Sequence, residues 1–528
     1  NTTITDGGKN GHYTEARAYN TQTYGDVMVN INKTFGDDWS LNANIGASIN
    51  NIKTDELSYR GPIQENGLPN VFNVFDLDDT KKRAEKTGWH DQTQSLFASV
   101  EVGWRQMLYL TVTGRNDWAS QLANSPSSSF FYPSVGLSWV PTSTWDLGEA
   151  LSYLKIRGSI ASVGMPFPRH LTIPTYEYDA TNRVWKDKTH YPIGDLKPER
   201  TTTYEVGLDA RLWQRISLSA SWYQADTKNQ TFDPSLPPSS SYTTIYLQTG
   251  HVRNTGVELS AGYDNQWRDF RWATNFTYSW NRNEIIELAA NAVNPVTGEP
   301  LNLNKLDIKG LGKAKYILKE GGTLGDLYTT SDLRFNDNGY IEVDKNGNLL
   351  LTDEGDDIYL GSVFPDHNLA WRNDFSWKGI NLGVLFTARI GGICYSATQA
   401  NMDLYGVSEA SAAARDAGGV WINGRELVDA QKWYQAIGSQ SGLPQYYTYS
   451  ATNIRLQELS LGYTLPAKWF RDKMRMTVSF VGRNLWMIYC KAPFDPEAVA
   501  STGLNYQGID YFMMPSLRSL GFNVKFQF

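Results

Sequence analysis

The 528-residue sequence predicts an all-β protein, a transmembrane antiparallel β-barrel. Two observations lead to this prediction. Apolar and polar residues alternate in segment after segment, which is the pattern of strands with one apolar face. The links between these segments alternate between short and long, as the periplasmic turns and extracellular loops of outer-membrane barrels do.

The last twelve residues, LRSLGFNVKFQF at 517–528, show the alternation most clearly. Phe522, Val524, Phe526 and Phe528 share one face of this strand. An unpaired apolar edge templates aggregation, and a closed barrel removes it by pairing the last strand with the first. An outer-membrane barrel also turns its apolar face outward to lipid. For this segment alone, the last strand of a soluble sandwich is the alternative.

The same division into an apolar and a charged or polar face recurs along the chain. It is found in 94–104, 108–115, 204–212, 216–223, 380–389 and 474–483. Strands of about 9–11 residues or more with this division fit a barrel with a wet lumen. A soluble β-solenoid or large sandwich is the alternative, but neither requires charges on every polar face.

About fifteen strands are predicted, joined by links that alternate in length. The long links, which we expect to be extracellular loops, are 52–88, 116–129, 164–200, 228–250, 284–366, 390–450 and 487–516. This order places the C-terminus on the periplasmic side. Because single-chain bacterial barrels use an even number of strands, we expect the chain to be the C-terminal part of a longer polypeptide. A miscounted pair near the N-terminus is the alternative.

Composition narrows the functional classes. The net charge of −7 argues against nucleic acid as a partner. Eighteen tryptophans and thirty tyrosines suit aromatic girdles at membrane interfaces or carbohydrate-binding surfaces. No apolar run of about 18 residues could form a transmembrane helix. Cys394 and Cys490 can form one bridge or none, and we expect both near extracellular strand ends.

Several motifs resemble those of TonB-dependent outer-membrane transporters, and more narrowly the SusC/RagA branch from Bacteroidota. The similar stretches are FFYPSVGLSWV at 130–140, LKPERTTTYEVGLDARLW at 196–213, NTGVELSAGY at 254–263, SATNIRLQELSLGYTLP at 450–466 and FVGRNLWMI at 480–488. The resemblance extends from about Arg115 to the C-terminus. It implies a 22-stranded barrel of which about the last 15 strands are present, with the family's N-terminal plug domain absent from this chain.

The resemblance also implies a function. Such transporters import nutrient oligomers, most often glycans and sometimes peptides, with a SusD-like surface lipoprotein over the extracellular face. Their energy comes from the inner-membrane TonB system, and no cofactor is implied. A passive porin or adhesin barrel is the alternative. A barrel enzyme would need a nucleophile–base pair, and the sequence contains no Gly-x-Ser-x-Gly elbow or zinc-protease motif, so we expect no catalysis.

Aromatic residues in the loop at 390–450 are candidates for substrate or partner binding. Helical composition at Ser408–Arg415 and Glu426–Ile437 predicts two helices there, separated by two glycines. The candidate residues are Trp421, Trp433, Tyr434, Tyr446 and Tyr447. Such rings stack on sugars or pack against a partner protein. An equally good interpretation is that they hold the loop against its own barrel.

Two further groups of residues are singled out. Arg389, Arg455, Arg475 and Arg483 are expected to face the lumen, where they line the substrate path or form structural ion pairs. Asp344, Asn346 and Asn348 occupy the first three ligand positions of a calcium-loop pattern in 344–354. The pattern lacks the glycine and the glutamate that an EF-hand loop needs, so a polar hairpin is the better interpretation.

Overall fold

Fifteen antiparallel strands form one continuous sheet in which every strand pairs with its neighbours in chain order. The computed structural model describes residues 10–67, 71–172, 176–179, 184–187, 190–191, 196–232, 244–245, 247–288, 305–352, 355–501 and 506–528. This fifteen-stranded sheet confirms the predicted all-β fold class and the predicted number of strands. The sheet strands are His12–Phe35, Trp39–Pro62, Arg83–Trp104, Leu108–Ala119, Phe130–Trp139, Leu151–Met165, Glu199–Leu212, Ile216–Phe232, Leu247–Trp267, Phe270–Glu287, His367–Trp377, Ile380–Ile390, Asn453–Thr464, Arg475–Cys490 and Ser519–Gln527.

Short turns and long loops alternate along this sheet, as the sequence predicts. The turns bring consecutive strands into register from their first residues, so that Phe35 pairs with Trp39 and Trp267 pairs with Phe270. In the turn after Trp104, both Arg105 and Gln106 have positive φ angles. This backbone follows the right-handed twist of the flanking strands. All the short turns join the strands at the same end, here called the short-turn end of the sheet.

Aromatic side chains gather at the short-turn end. Trp39 and Trp104 face each other across neighbouring strands, with ring centroids 6.4 Å apart. Exposed rings continue along the same end of the sheet at Phe35, Trp39, Trp139, Trp145, Trp213, Trp267, Phe270, Trp377 and Trp469. Amphipathic rings in such a row are typical of the level where a barrel meets the lipid headgroups.

The apolar face of the sheet is exposed. In the strand Glu199–Leu212, Val206 is 56% exposed and Leu208 is also exposed, while Glu205 and Asp209 lie on the opposite face. Further exposed apolar residues on the sheet are Leu96, Val100, Leu110, Val112, Val135, Leu137, Leu218 and Phe480. A face of this kind is suited to lipid, and the charged face is then the inner wall. Within the described residues, no helix is long and apolar enough to cross a membrane.

Several strands run further than the sequence predicts. Trp39–Pro62 has 24 residues and Arg83–Trp104 has 22, whereas about 9–11 residues suffice to cross the hydrocarbon. The sheet therefore rises above the apolar band at the long-loop end, and the connection between these two strands is 63–82 rather than 52–88. Parts of the expected loops 164–200, 228–250 and 284–366 lie outside the described residues.

The largest loops fold together into one packed unit at the long-loop end. This unit, here called the loop cap, comprises the described residues of 305–366, 391–452 and 491–510. Its buried core contains Tyr316, Leu327, Leu333, Tyr395, Ala400, Ile437, Leu443, Tyr447 and Ile509. A second cluster, formed by Phe232, Val252, Ile285, Leu288, Leu306 and Leu318, seats the loop cap on the sheet.

Three short helices lie in the loop cap: α1 (Ala397–Leu404), α2 (Glu409–Asp416) and α3 (Ala430–Ile437). The sequence predicts α2 and α3, although 426–428 belongs to a short strand, and it does not predict α1. The strands outside the main sheet are Tyr176–Asp179, Val184–Asp187, His190–Tyr191, Thr244–Ile245, Lys305–Leu311, Ala314–Lys319, Asp326–Thr329, Ile358–Ser362, Ile393–Ser396, Val420–Ile422, Glu426–Val428, Thr448–Ser450 and Ile509–Asp510. Short 3₁₀ turns occupy Val74–Asp76, Ser120–Leu122, Pro141–Ser143, Pro444–Tyr447 and Ala467–Phe470.

The two faces of the sheet should respond differently to charge. We expect Val206→Lys, in the middle of its strand on the apolar face, to lower the free energy of unfolding by about 2–4 kcal/mol in lipid. Ser221→Lys, on the inner wall of the next strand, should change it far less. Heat-modified gel mobility of the reconstituted protein measures both, and equal effects would contradict the assignment of the faces.

Candidate functional site

Ion pairs between neighbouring strands cover the inner wall. Arg157 donates to Asp209 at 2.6 Å and to Glu205 at 3.3 Å, so that one guanidinium joins two carboxylates on the adjacent strand. Gly207 lies between these acids, directly opposite Arg157. A Cβ atom at position 207 would lie 2.6 Å from the Arg157 Cζ atom. The glycine therefore makes room for the guanidinium to lie flat across the wall.

A second network crosses four strands near the C-terminal side of the sheet. Glu458 accepts hydrogen bonds from Arg372 at 3.2 Å and from Arg483 at 3.0 Å. Arg372 also binds Asp374 on its own strand. The strand between these partners carries Gly383, where a Cβ atom would lie 3.0 Å from an Asp374 oxygen. The sequence singles out Arg483 but not its partner Glu458, whose only signal is its place on an alternating polar face.

A groove of about 370 Å³ runs along the inner wall between these two networks. Arg157, Glu258 and Asn368 border it, and small hydroxyl side chains line its floor. The hydroxyl residues are Ser219, Ser221, Ser260, Thr277 and Ser279. They come from neighbouring strands in register, for example Ser219 opposite Ser260. Hydroxyl groups both donate and accept hydrogen bonds, so this floor suits a polar, uncharged solute.

Arg455 lies in a buried ion pair rather than on an open lumen surface. It is 5% exposed and binds Asp495 at 2.9 Å and Glu497 at 3.1 Å. Asn453 accepts two further hydrogen bonds from it. Both acids belong to the connection 491–518, so Arg455 fastens this part of the loop cap to the sheet.

The remaining predicted arginines differ in their surroundings. Arg389 is 4.0 Å from Glu497, at the rim of the same cluster. Arg475 is exposed at the short-turn end, where it pairs in register with Gln527. Of the four predicted arginines, only Arg389 and Arg455 share an acidic partner, which is Glu497.

The Asp495 carboxylate is ionised more easily than an ordinary one. Burial opposes its ionisation, but hydrogen bonds from Arg455 and Ser516 outweigh that effect and lower the pKa of Asp495 below its usual value of 3.8. The Ser516 hydroxyl donates to Asp495 at 2.5 Å, so the segment that leads into the last strand is held as well.

The five candidate aromatic residues of the loop cap separate into buried and exposed positions. Tyr447 is 2% exposed and lies in the core, and Trp433 packs edge-on against Tyr446 with centroids 6.1 Å apart. Tyr434 lies on α3 and is half-buried. Trp421, on the hairpin of Val420–Ile422 and Glu426–Val428, is 65% exposed. Trp421 is therefore the member of this set with most of its surface open to a partner.

Asp344, Asn346 and Asn348 lie together in a tight hairpin turn. The Asp344 carboxylate accepts hydrogen bonds from the backbone N–H groups of Asn346 and Asn348, each at 2.8 Å. These bonds, those from Asn348 foremost, lower the pKa of Asp344. The Lys432 ammonium on α3 donates to the Asn346 carbonyl. The carboxylate thus holds the turn, and the Lys432 ammonium docks the turn on α3. No cluster of metal-ligating side chains is found in the described parts of the chain.

Both cysteines are free thiols at the boundary between the sheet and the loop cap. Cys394 is buried on Ile393–Ser396, and this burial raises the pKa of its thiol to about 12. Cys490 ends its sheet strand, where its sulfur lies 3.5 Å from the Ala492 carbonyl oxygen.

Comparison with known proteins places this geometry in a family. Residues 1–485 match the family model described as TonB dependent receptor-like, beta-barrel. TonB-dependent receptor P3 of Formosa agariphila is 25% identical over 99% of this chain and 54% of its own length. TonB-dependent receptor SusC of Bacteroides thetaiotaomicron is 22% identical over 71% of this chain and 38% of its own length.

Solved structures agree on the fold. The structure titled "Structure of the RagAB peptide transporter" superposes with a TM-score of 0.71 at 19% identity, covering 98% of this chain and 56% of that one. The chain thus spans about half the length of the first relatives and structures that it matches.

Removal of the Arg455 guanidinium should release the loop cap from the sheet at 491–501. Arg455→Met leaves Asp495 buried without its cation, which costs about 3–5 kcal/mol locally. A nitroxide at position 500, in a Cys490→Ser background, should become mobile in its EPR spectrum. Arg389→Met is the matched control, because its contact with Glu497 is long, and equal mobility in both variants would contradict this role of Arg455.

The same contact should depend on pH in a defined direction. Because the folded-state pKa of Asp495 is lowered, its contribution is complete above the unfolded value near 3.8 and is lost as pH falls through the lower folded value. The nitroxide at position 500 should therefore stay immobile at pH 5 and become mobile only below about pH 4. Mobility that rises already between pH 7 and 5 would assign the contact to another group.

Proposed function

Because the chain belongs to the TonB-dependent receptor-like β-barrel family, whose SusC and RagA relatives are outer-membrane proteins, we propose that it forms the wall of an importer. Its cargo is a nutrient oligomer that is taken up across the outer membrane at the expense of TonB-transmitted energy. A SusD-like lipoprotein covers the loop cap. The observation that carries this proposal is a lipid-facing sheet with a charged, hydroxyl-rich inner wall and a packed loop unit over its long-loop end.

The inner wall supports passage of a polar solute. Several of its arginines are paired with carboxylates, as at Arg157 and Arg372, so that these charges on the wall are compensated. Compensated charges bind a charged solute weakly, while the serine-lined groove offers hydrogen bonds that a solute can exchange one after another. A path for transport needs contacts that are favourable enough to admit the cargo and weak enough to release it.

The loop cap supports capture at the outer surface. It is a folded unit rather than a set of independent loops, and Trp421 projects from it with most of its ring exposed. A large exposed aromatic side chain on a rigid support is typical of a binding hot spot. In the proposed mechanism the cargo is held between the lipoprotein and the loop cap, and TonB then opens a path along the wall.

Glycan oligosaccharides are the first choice of cargo, and oligopeptides are the second. The five hydroxyl side chains that line the inner groove, beside Arg157 and Glu258, favour the former. The solved RagAB structure, which shares the fold, is that of a peptide importer, and this supports oligopeptides as the second choice. The family is one of transporters and receptors rather than enzymes, and we propose no catalytic residue.

Uptake measurements distinguish the importer from a passive porin. Deletion of the gene should abolish growth on one oligosaccharide pool as sole carbon source, and depletion of TonB should abolish it equally. Growth that survives TonB depletion but not the deletion would support the porin and reject the importer.

Co-purification from outer membranes tests the lipoprotein partner. Trp421→Ala should reduce the recovered lipoprotein, while Trp145→Ala, an exposed tryptophan at the short-turn end, should leave it unchanged. Recovery that is the same for both variants would contradict docking on the loop cap.

A further inference from the structure

A separate cavity of about 200 Å³ opens between the three helices of the loop cap. Asp403 and Leu404 from the end of α1, Ser411 and Arg415 from α2, and Gln431 and Tyr434 from α3 line it, with Tyr405 and Gly406 in the link between α1 and α2. Drug-sized ligands occupy pockets of roughly 300–1,000 Å³, so this cavity has room for one ring-sized unit. It belongs to neither the inner groove nor the Trp421 surface.

The position of Asp403 is unfavourable for a carboxylate that has only a structural role. It is a carboxylate only 5% exposed, and it lies in the last turn of α1, where the helix dipole disfavours negative charge. Its Oδ1 atom accepts hydrogen bonds from Gln399 at 3.0 Å and from the Ser408 hydroxyl. These donors offset part of the cost of burial, but a neutral residue would have avoided that cost altogether.

Asp403 also lies close to Tyr447 in the core of the loop cap. Tyr447 lies on its other side, and burial together with the Asp403 carboxylate raises the pKa of its phenol. The Asp403 carboxylate is thus held from α1, from the link to α2 and from the core, and it keeps a fixed position in the wall of the cavity.

Arg415 and Gly406 shape the opening of the cavity. The Arg415 Nη1 atom donates to the Gly406 carbonyl at 2.7 Å. Gly406 has a φ of +67°, and a Cβ atom there would lie 2.7 Å from the same nitrogen. The guanidinium is thereby held at the rim, and the 76% exposed Tyr405 ring stands beside it.

The charges of the cavity select its ligand. The Asp403 carboxylate repels an anion and the Arg415 guanidinium repels a cation, while both form hydrogen bonds with neutral hydroxyl groups. Tyr405 and Tyr434 add ring faces for the apolar side of a pyranose. We propose that this cavity binds one neutral sugar unit of an oligosaccharide, which rests on the proposed importer function and names the class of its cargo.

Binding to an array tests this site with the full-length, detergent-purified protein. The probes are neutral oligosaccharides, acidic oligosaccharides and peptides of similar size. The wild-type protein should retain neutral oligosaccharides, and Asp403→Asn should weaken that binding by about tenfold or more, because a charge-assisted hydrogen bond is lost. Tyr405→Ala, whose side chain is exposed and contributes little to folding, should weaken it as well.

Phe335→Ala, a change at another exposed ring of the loop cap, is the matched control and should bind as the wild type does. Retention of acidic oligosaccharides or peptides alone would overturn the assignment. Equal affinity of the wild type, Asp403→Asn and Tyr405→Ala for neutral oligosaccharides would also overturn it. If the protein binds peptides and its uptake depends on TonB, the sugar site is rejected and the importer function stands. If it binds sugars through Asp403 but its uptake does not depend on TonB, the sugar site stands and the importer function is rejected.

Discussion

The hydrogen bonding of the backbone inside a membrane is the constraint from which the rest of this structure follows. Hydrocarbon offers no partner for an N–H or C=O group, so every strand must find both of its neighbours. The thirteen strands between His12–Phe35 and Ser519–Gln527 each pair with a neighbour on both sides, and most links at one end are tight turns. Once register is set in this way, side chains alternate between lipid and the inner wall, as Val206 and Glu205 do, except at the β-bulges.

The inner wall then carries many charged side chains that lie close together on neighbouring strands. Arginines pair with carboxylates on neighbouring strands, and glycines stand where a long side chain lies flat against the sheet. Arg157 reaches two acids over Gly207, and the Arg372 network passes over Gly383. Each glycine weakens its strand intrinsically, yet it lets a cation be neutralised without lifting it into the lumen.

The sequence predicts features that depend on periodicity and misses those that depend on distant contacts. Strand number, faces and turns follow from the period of two. Strand ends do not, because pairing continues above the membrane wherever two strands stay adjacent, as beyond Ile52. The burial of Arg455 depends on acids forty residues away in the chain. Asp403 has no sequence signal at all, since an acid in a short helix looks like an ordinary solvated residue. The helix α1 is missed for a similar reason: its packing against α3, rather than its composition, stabilises it.

The loops of the loop cap are joined to each other by β-pairing, by hydrogen bonds and by a shared core. Ile393–Ser396 pairs with both Thr448–Ser450 and Ile509–Asp510, and Ser396 donates to the buried Asp510 carboxylate at 2.6 Å. Tyr316 binds the Gln507 carbonyl from yet another loop. A motion that separated these loops would have to break β-pairing and open a shared core. A motion of the whole loop cap would instead strain its attachments to the sheet, among which the Arg455–Asp495 pair is a buried and charged one. The Asp403 cavity lies inside this packed unit, so the contacts that join the loops also hold the helices that line it.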